Sequence, residues 1–134
     1  RYANGVYLDE FRRRLYVTEH LNRKIHLFDL SAPGVITKHH VFFDFDAAGI
    51  ERPAYPLAGP DGLRLLAAGL YVAEYGAGRI HVISPDGKLL KTIPVATRFV
   101  TNLEFWREHE ILIVVGTYDN GSPALEGRVV SMRQ

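Results

Sequence analysis

Three side chains with oxygen donors recur at like places in this 134-residue chain: Asn4, Asp61 and Asn102. Each opens a short apolar run, and the first two are followed by glycine, as Asn4-Gly5 and Asp61-Gly62. Where such strands lie innermost in stacked sheets, their first side chains converge on one axis. Converging polar groups make a natural place for a bound ion or ligand. Carboxylate and amide oxygens suit a hard cation such as Ca²⁺ or Mg²⁺. The six histidines offer a competing metal chemistry, but none has the i, i+4 helical spacing of a zinc motif. His26, His81 and the adjacent His39-His40 are expected on strand surfaces. The chain has no cysteine, which excludes disulfides and thiolate metal sites and leaves the compartment open.

The elements that must position these residues are strands. Gly59 to Leu90 reads as strand, turn, strand, turn, strand, turn, strand. Short apolar runs there are punctuated by Gly69, by Gly76-Ala77-Gly78 and by Pro85-Asp86-Gly87. That is the pattern of a four-stranded antiparallel meander. A similar unit precedes it. Leu15-Tyr16-Val17 recurs as Leu70-Tyr71-Val72, and Lys24-Ile25-His26 as Arg79-Ile80-His81, both at a spacing of 55 residues. A third, degenerate copy runs through Asn102-Leu103-Glu104-Phe105, Ile111 to Val115 and Arg128 to Met132. Four-stranded units repeating at such intervals point to propeller blades. The fold class expected is all-β, a partial β-propeller of about three blades in one domain, 1–134, with blades near 4–46, 61–95 and 101–134. Almost no helix is expected. Asp46 to Pro60, with Pro53, Pro56 and Pro60, is the long connection between the first two blades. Glu19-His20, Glu74-Tyr75 and the loop from Thr117 to Gly127 fall at the channel rim. Tyr16 and Tyr71 are expected to pack between blades.

Composition bounds the partners. Sixteen basic residues against fifteen acidic leave a net charge of +1, which gives no electrostatic case for nucleic acid or an anionic membrane. Arg12-Arg13-Arg14 is read as a solvated hairpin turn. No apolar run approaches a membrane span, and no signal peptide is visible. A chain that is 47% hydrophobic with balanced charge is globular. The opening Arg1-Tyr2-Ala3-Asn4, without Met, suggests that upstream sequence is missing.

The ordered set Asn4-Gly5, Leu15-Tyr16-Val17, Pro60-Asp61-Gly62-Leu63, Leu70 to Gly76, Gly78-Arg79-Ile80, Pro85-Asp86-Gly87-Lys88 and Val100-Thr101-Asn102 resembles the SMP-30/gluconolactonase/regucalcin family. The resemblance covers nearly the whole chain and matches the C-terminal half of such a protein. It implies a six-bladed propeller and a metal-dependent hydrolase of sugar lactones, sometimes of organophosphates. The implied cofactor is a divalent cation, Ca²⁺ first, with Zn²⁺, Mg²⁺ or Mn²⁺ as alternatives, held by a Glu, an Asn and an Asp. Asn4 matches the Asn ligand. Asp61 matches the Asp ligand and the proposed general base. Asn102 is expected, from its place in the chain, to line the channel or cap a strand rather than to bind the ion. The Glu ligand belongs to the family's first blade and has no counterpart here. Phe105-Trp106-Arg107 departs from the family's Phe-Gly-Gly.

With the resemblance, the chemistry is that of a lactone hydrolase. The cation would polarise the lactone carbonyl and lower the pKa of a bound water, and Asp61 would take that water's proton. The expected partner is a small-molecule lactone. Self-association, or a missing N-terminal half, would close the propeller. The alternatives are a non-catalytic propeller piece serving binding or assembly, and a strictosidine-synthase-like propeller.

Overall fold

The computed structural model describes residues 1–119, 121 and 126–133. Residues 120 and 122–125 of the loop expected at the rim lie outside the described residues. The first sheet is a meander of β1 (Ala3–Asp9), β2 (Arg14–Glu19), β3 (Lys24–Ala32) and β4 (Val35–Asp44). The second repeats it with β5 (Gly59–Leu66), β6 (Gly69–Tyr75), β7 (Arg79–Ile83) and β8 (Leu89–Pro94). The third has three strands, β9 (Phe99–Trp106), β10 (Ile111–Thr117) and β11 (Gly127–Arg133). All pairings are antiparallel. The one helical element among the described residues is a single 3₁₀ turn, Arg107–His109. None is long and apolar enough to cross a membrane.

Turn chemistry explains the hairpins. At Pro85-Asp86-Gly87 the chain reverses with Gly87 at φ +77°, and the Ser84 N–H donates to the Lys88 carbonyl at 2.8 Å. The arginine-rich turn between β1 and β2 is held by its acids. Arg12 donates to Asp9 from its backbone N–H (3.1 Å) and Nη1 (3.0 Å), and Arg14 Nε donates to Asp29 at 3.3 Å.

Alternation of side chains gives each sheet two faces, and the faces stack. Tyr16, Ile25, Leu27, Phe43 and Phe45 of the first sheet and its connection meet Leu63, Leu70, Val72 and Ile83 of the second. On the other face of the second sheet, Tyr71, Ala73, Ile80 and Val82 meet Val100, Leu103, Leu112 and Val114 of the third. Tyr16 and Tyr71 thus sit at equivalent places in successive interfaces. A fully buried aliphatic or aromatic side chain contributes roughly 1.5–3 kcal/mol, against about 0–1 kcal/mol for an exposed ion pair. These two interfaces therefore hold the sheets together. The outermost faces remain open, with Val6, Leu8 and Val41 exposed at one end and Val115 and Val129 at the other.

Candidate functional site

The innermost strands β1, β5 and β9 lie side by side, and they approach unusually closely at the residues singled out above. A Cβ on Gly5 would fall 2.0 Å from the Asp61 carbonyl oxygen. One on Gly62 would fall 2.3 Å from Asn102 Oδ1 and 2.7 Å from its Cα. Only glycine permits this backbone contact. The ladders also slip here. The β1–β2 register shifts between Ala3 and Val6, the β5–β6 register between Pro60 and Leu63, and the β9–β10 register at Val115/Gly116, opposite Asn102 and Val100. Such irregularities bend a strand and re-aim its side chains. Thr18, wholly buried on β2, joins two of these strands. Its hydroxyl accepts from the Gly5 N–H at 2.7 Å and donates to the Asp61 carbonyl at 3.0 Å.

Asn4 and Asp61 open on one cavity of about 460 Å³, lined also by Tyr2, His20, Leu21, Tyr55, Leu57 and Tyr75. Asn4 is exposed and Asp61 half-buried. Burial pushes the Asp61 carboxyl up to about 6, with His20 and the Gly62 backbone N–H pulling the other way. Asn102 is not brought in. It is exposed, its Oδ1 accepts from the Leu103 N–H at 2.9 Å, and its side chain packs against Gly62.

His20 closes the floor. Its Nδ1 lies 3.1 Å from the Pro60 carbonyl oxygen and its Nε2 2.9 Å from that of Leu57. A neutral ring has one N–H and can serve one of these acceptors; an imidazolium serves both. His20 therefore ties the residue before Asp61 to the connection between the first two sheets. Around it stands an aromatic wall. Tyr2 and Tyr75 pack on the His20 ring at 5.6 and 5.7 Å, and Tyr55 packs edge-on to Tyr75 at 5.9 Å and to Phe99 at 5.1 Å.

His20 and Tyr75, expected at the rim, do line the cavity, and they are equivalents at the 55-residue spacing. Tyr55 and Leu57 come from the proline-rich connection, where no repeat pattern marks them. Glu74, also expected at the rim, is fully buried instead. It accepts from Arg23 Nη2 (3.0 Å), Arg79 Nε (2.6 Å) and His81 Nε2 (2.7 Å). His81, expected on a strand surface, is buried with it. The sheet-on-sheet interface covers what would be an open strand face in a single sheet. Among the described residues no group of three or more His, Cys, Asp or Glu side chains could hold a metal ion.

Known proteins place this architecture. A solved luciferin-regenerating enzyme superposes on 98% of the chain with a TM-score of 0.78 at 23% identity, the match covering 45% of that enzyme. A calcium-binding protein, regucalcin, from Agrobacterium tumefaciens strain C58 matches 84% of the chain and 37% of its own, with a TM-score of 0.67 and 20% identity. A gluconolactonase from Xanthomonas campestris matches 85% of the chain and 34% of its own, with a TM-score of 0.65 and 24% identity. At these identities the likeness is one of fold, and the chain spans less than half the length of each. No curated protein matches the sequence. The sequence pattern of the SMP-30/Gluconolactonase/LRE-like region matches residues 1–115. The chain thus belongs to the SMP-30/gluconolactonase/LRE-like family, as three consecutive propeller sheets.

Proposed function

We propose that this chain carries part of the site of a metal-dependent lactonase-type hydrolase, corresponding to the C-terminal half of such an enzyme. The observation that carries the reading is the opening of Asn4 and Asp61 on one cavity, with the Asp61 proton affinity raised toward neutrality. The gluconolactonase among the similar structures supports the substrate class, and the calcium-binding regucalcin supports the cation.

The donor set fits a hard divalent cation in type. Asn4 and Asp61 would supply an amide and a carboxylate oxygen, two of the roughly six to eight that Ca²⁺ takes. When bound, such a cation polarises a lactone carbonyl and acidifies a coordinated water. Asp61, whose carboxyl is raised to about 6, would be this chain's own proton acceptor in the cavity. Thr18 and His20 fix the Asp61 backbone on either side, so the carboxylate is presented by an ordered strand. The tyrosine wall narrows the access of solvent to it.

Calorimetric titration of Ca²⁺, alongside a lactone-hydrolysis assay, tests this. The chain alone should bind Ca²⁺ weakly and turn over little lactone, because two oxygens make an incomplete shell. In a protein that also has upstream blades, Asp61→Asn should remove most activity and weaken metal binding, and Asn102→Ala should do much less. Micromolar binding by the monomer, with hydrolysis that Asp61→Asn leaves intact, would overturn the assignment.

A further inference from the structure

Two arginine-bearing stretches take no part in the site described above: Arg12-Arg13-Arg14 and Phe105-Trp106-Arg107. The fold brings them to one place. Both lie where the chain leaves an innermost strand, at the end of β1, β5 and β9 opposite to Asn4 and Asp61. A cavity of about 310 Å³ opens there, lined by Arg12 and Arg14 of the first sheet and by Arg107 of the third. The corresponding turn of the second sheet lies between them. At the 55-residue spacing it has Ala67-Ala68-Gly69 in place of the three arginines, so the hairpin itself does not need them. Ala67 is small, and it lines the cavity between the two basic turns.

The first basic turn is fixed in place. Buried Asp9 accepts from the Arg12 N–H and Nη1, and the Arg13 carbonyl accepts from the Leu30 N–H at 2.9 Å. Arg13 turns away, donating from Nη1 to the Ser31 carbonyl at 3.0 Å, while Arg12 and Arg14 line the cavity. Arg14 gives Asp29 its Nε alone, at 3.3 Å. Arg107 is less engaged still. The acid that feels its charge, Glu104, already accepts from Arg64 Nε and from the Phe105 N–H, both at 2.9 Å. Among the described residues the Arg107 guanidinium has no hydrogen-bond partner. Three guanidiniums thus line the cavity against one carboxylate, Asp9. Each has five N–H donors in a fork that fits phosphate oxygens. The rest of the lining is of another kind, with Tyr7, Tyr16, Leu65, Leu66 and Pro85. Burial pushes the Tyr16 phenol up, with Arg14 opposing, so its hydroxyl keeps its proton at neutral pH.

We propose that this cavity binds a small organic phosphate, whose anionic head takes hydrogen bonds from Arg12, Arg14 and Arg107 and whose aromatic or aliphatic body rests among Tyr7, Tyr16 and Leu65. A phosphate monoester brings close to two negative charges and three acceptor oxygens. A carboxylate brings one charge and two oxygens, too little for three arginines. Asp9 does not compete for the site, because Arg12 already holds it. The cavity lies at the far end of the innermost strands from Asp61, so the proposal stands or falls independently of lactone chemistry.

Calorimetric titration of the chain with phenyl phosphate, inorganic phosphate and benzoate, without divalent cations, tests this. Phenyl phosphate should bind most tightly. Inorganic phosphate, which lacks the apolar body, should bind about tenfold more weakly, and so should benzoate, which offers fewer charge-assisted hydrogen bonds. Arg107→Gln should weaken phenyl phosphate by about tenfold or more and leave the urea melt where it was. Ala67→Phe, which fills the gap between the basic turns, should weaken it as much. Arg13→Gln removes the same charge from a side chain that faces away, and should leave the affinity unchanged. No binding of phenyl phosphate by the folded chain would overturn the proposal. So would binding that Arg107→Gln and Ala67→Phe leave intact, or an equal loss in Arg13→Gln, which would reduce the effect to net charge. Benzoate binding as tightly as phenyl phosphate would overturn the choice of a phosphate.

Discussion

Asp61 and Glu74 stand on adjacent strands of one sheet, both withdrawn from water, and their carboxyls are driven in opposite directions. Burial raises the proton affinity of each. At Glu74 the hydrogen bonds of His81 and Arg79 and their charges outweigh it, and the carboxyl is held below its ordinary range. At Asp61 only His20 and one backbone N–H oppose it, and the carboxyl rises to about 6. The difference lies in which face each occupies. Glu74 faces the neighbouring sheet, where Arg23 completes its shell. Asp61 opens on the cavity that Asn4 also lines. A buried carboxylate with its cations supplied is structure; one raised by burial beside a cavity is a candidate for the site proposed above.

Breaking the structural member should have the largest effect. Glu74→Ala removes the buried acceptor shared by Arg23, Arg79 and His81, leaving Arg23 only Asp46 and the Ile50 carbonyl, and should destabilise the chain by about 3–5 kcal/mol in urea melts. Removing the charge at the other member should have the reverse sign. Asp61→Asn should stabilise by about 1–2 kcal/mol at pH 8, a figure that allows for solvent screening at a half-buried group, while abolishing whatever cation binding the site has. An Asp61→Asn variant less stable than its parent in melts without cation would mean that the carboxylate is already satisfied.

The pH dependence sharpens the contrast. The folded-state affinity of Asp61 lies above its unfolded value of 3.8, so its ionisation opposes folding as pH rises through the window from about 4 to 6. Glu74 does the opposite: its contribution is full above its unfolded value of 4.5 and is lost as pH falls through its depressed folded value. The melting-temperature gap between Asp61→Asn and the parent should therefore open between pH 4 and pH 6 and level off above. A gap constant from pH 3 to pH 8 would contradict this. The smallest effect expected is that of Thr18→Val, a loss of about 1 kcal/mol from the hydrogen bonds to Gly5 and Asp61. It should weaken cation binding without shifting the pH window.

Much of this was legible in the chain itself. Gly and Asp-Gly punctuation located the strands, and the 55-residue spacing paired the first two sheets, because a repeated sheet must bury its faces in a repeated way. Asn4 and Asp61 were visible as polar residues heading apolar runs. The role of Glu74 was not, since a strand pattern does not say whether a neighbouring sheet will cover a face. Arg23 was hidden for a related reason. Of its two carboxylate partners, Asp46 and Glu74, the buried one lies in another sheet, 51 residues on, and only the mismatch of Arg23 with Gly78, its counterpart 55 residues on, marks it. Tyr55 and Leu57 reach the cavity from a segment with no period to read, and Asn102 shares its place in the repeat without sharing the cavity.

The close approach of Gly5 to Asp61 and of Gly62 to Asn102 has a consequence for how such a site could change. The interval between one inward-pointing side chain and the next is gauged by backbone against backbone, not by the side chains themselves. Replacing Asn4 or Asp61 alters what the cavity offers a visitor and leaves the gauge alone. Replacing Gly5 forces β1 from β5, and replacing Gly62 forces β5 from β9, so each resets the interval it gauges. Chemistry and spacing are thus inherited separately, one residue apart, so the two side chains of the cavity can be rewritten within a frame that two glycines keep to size.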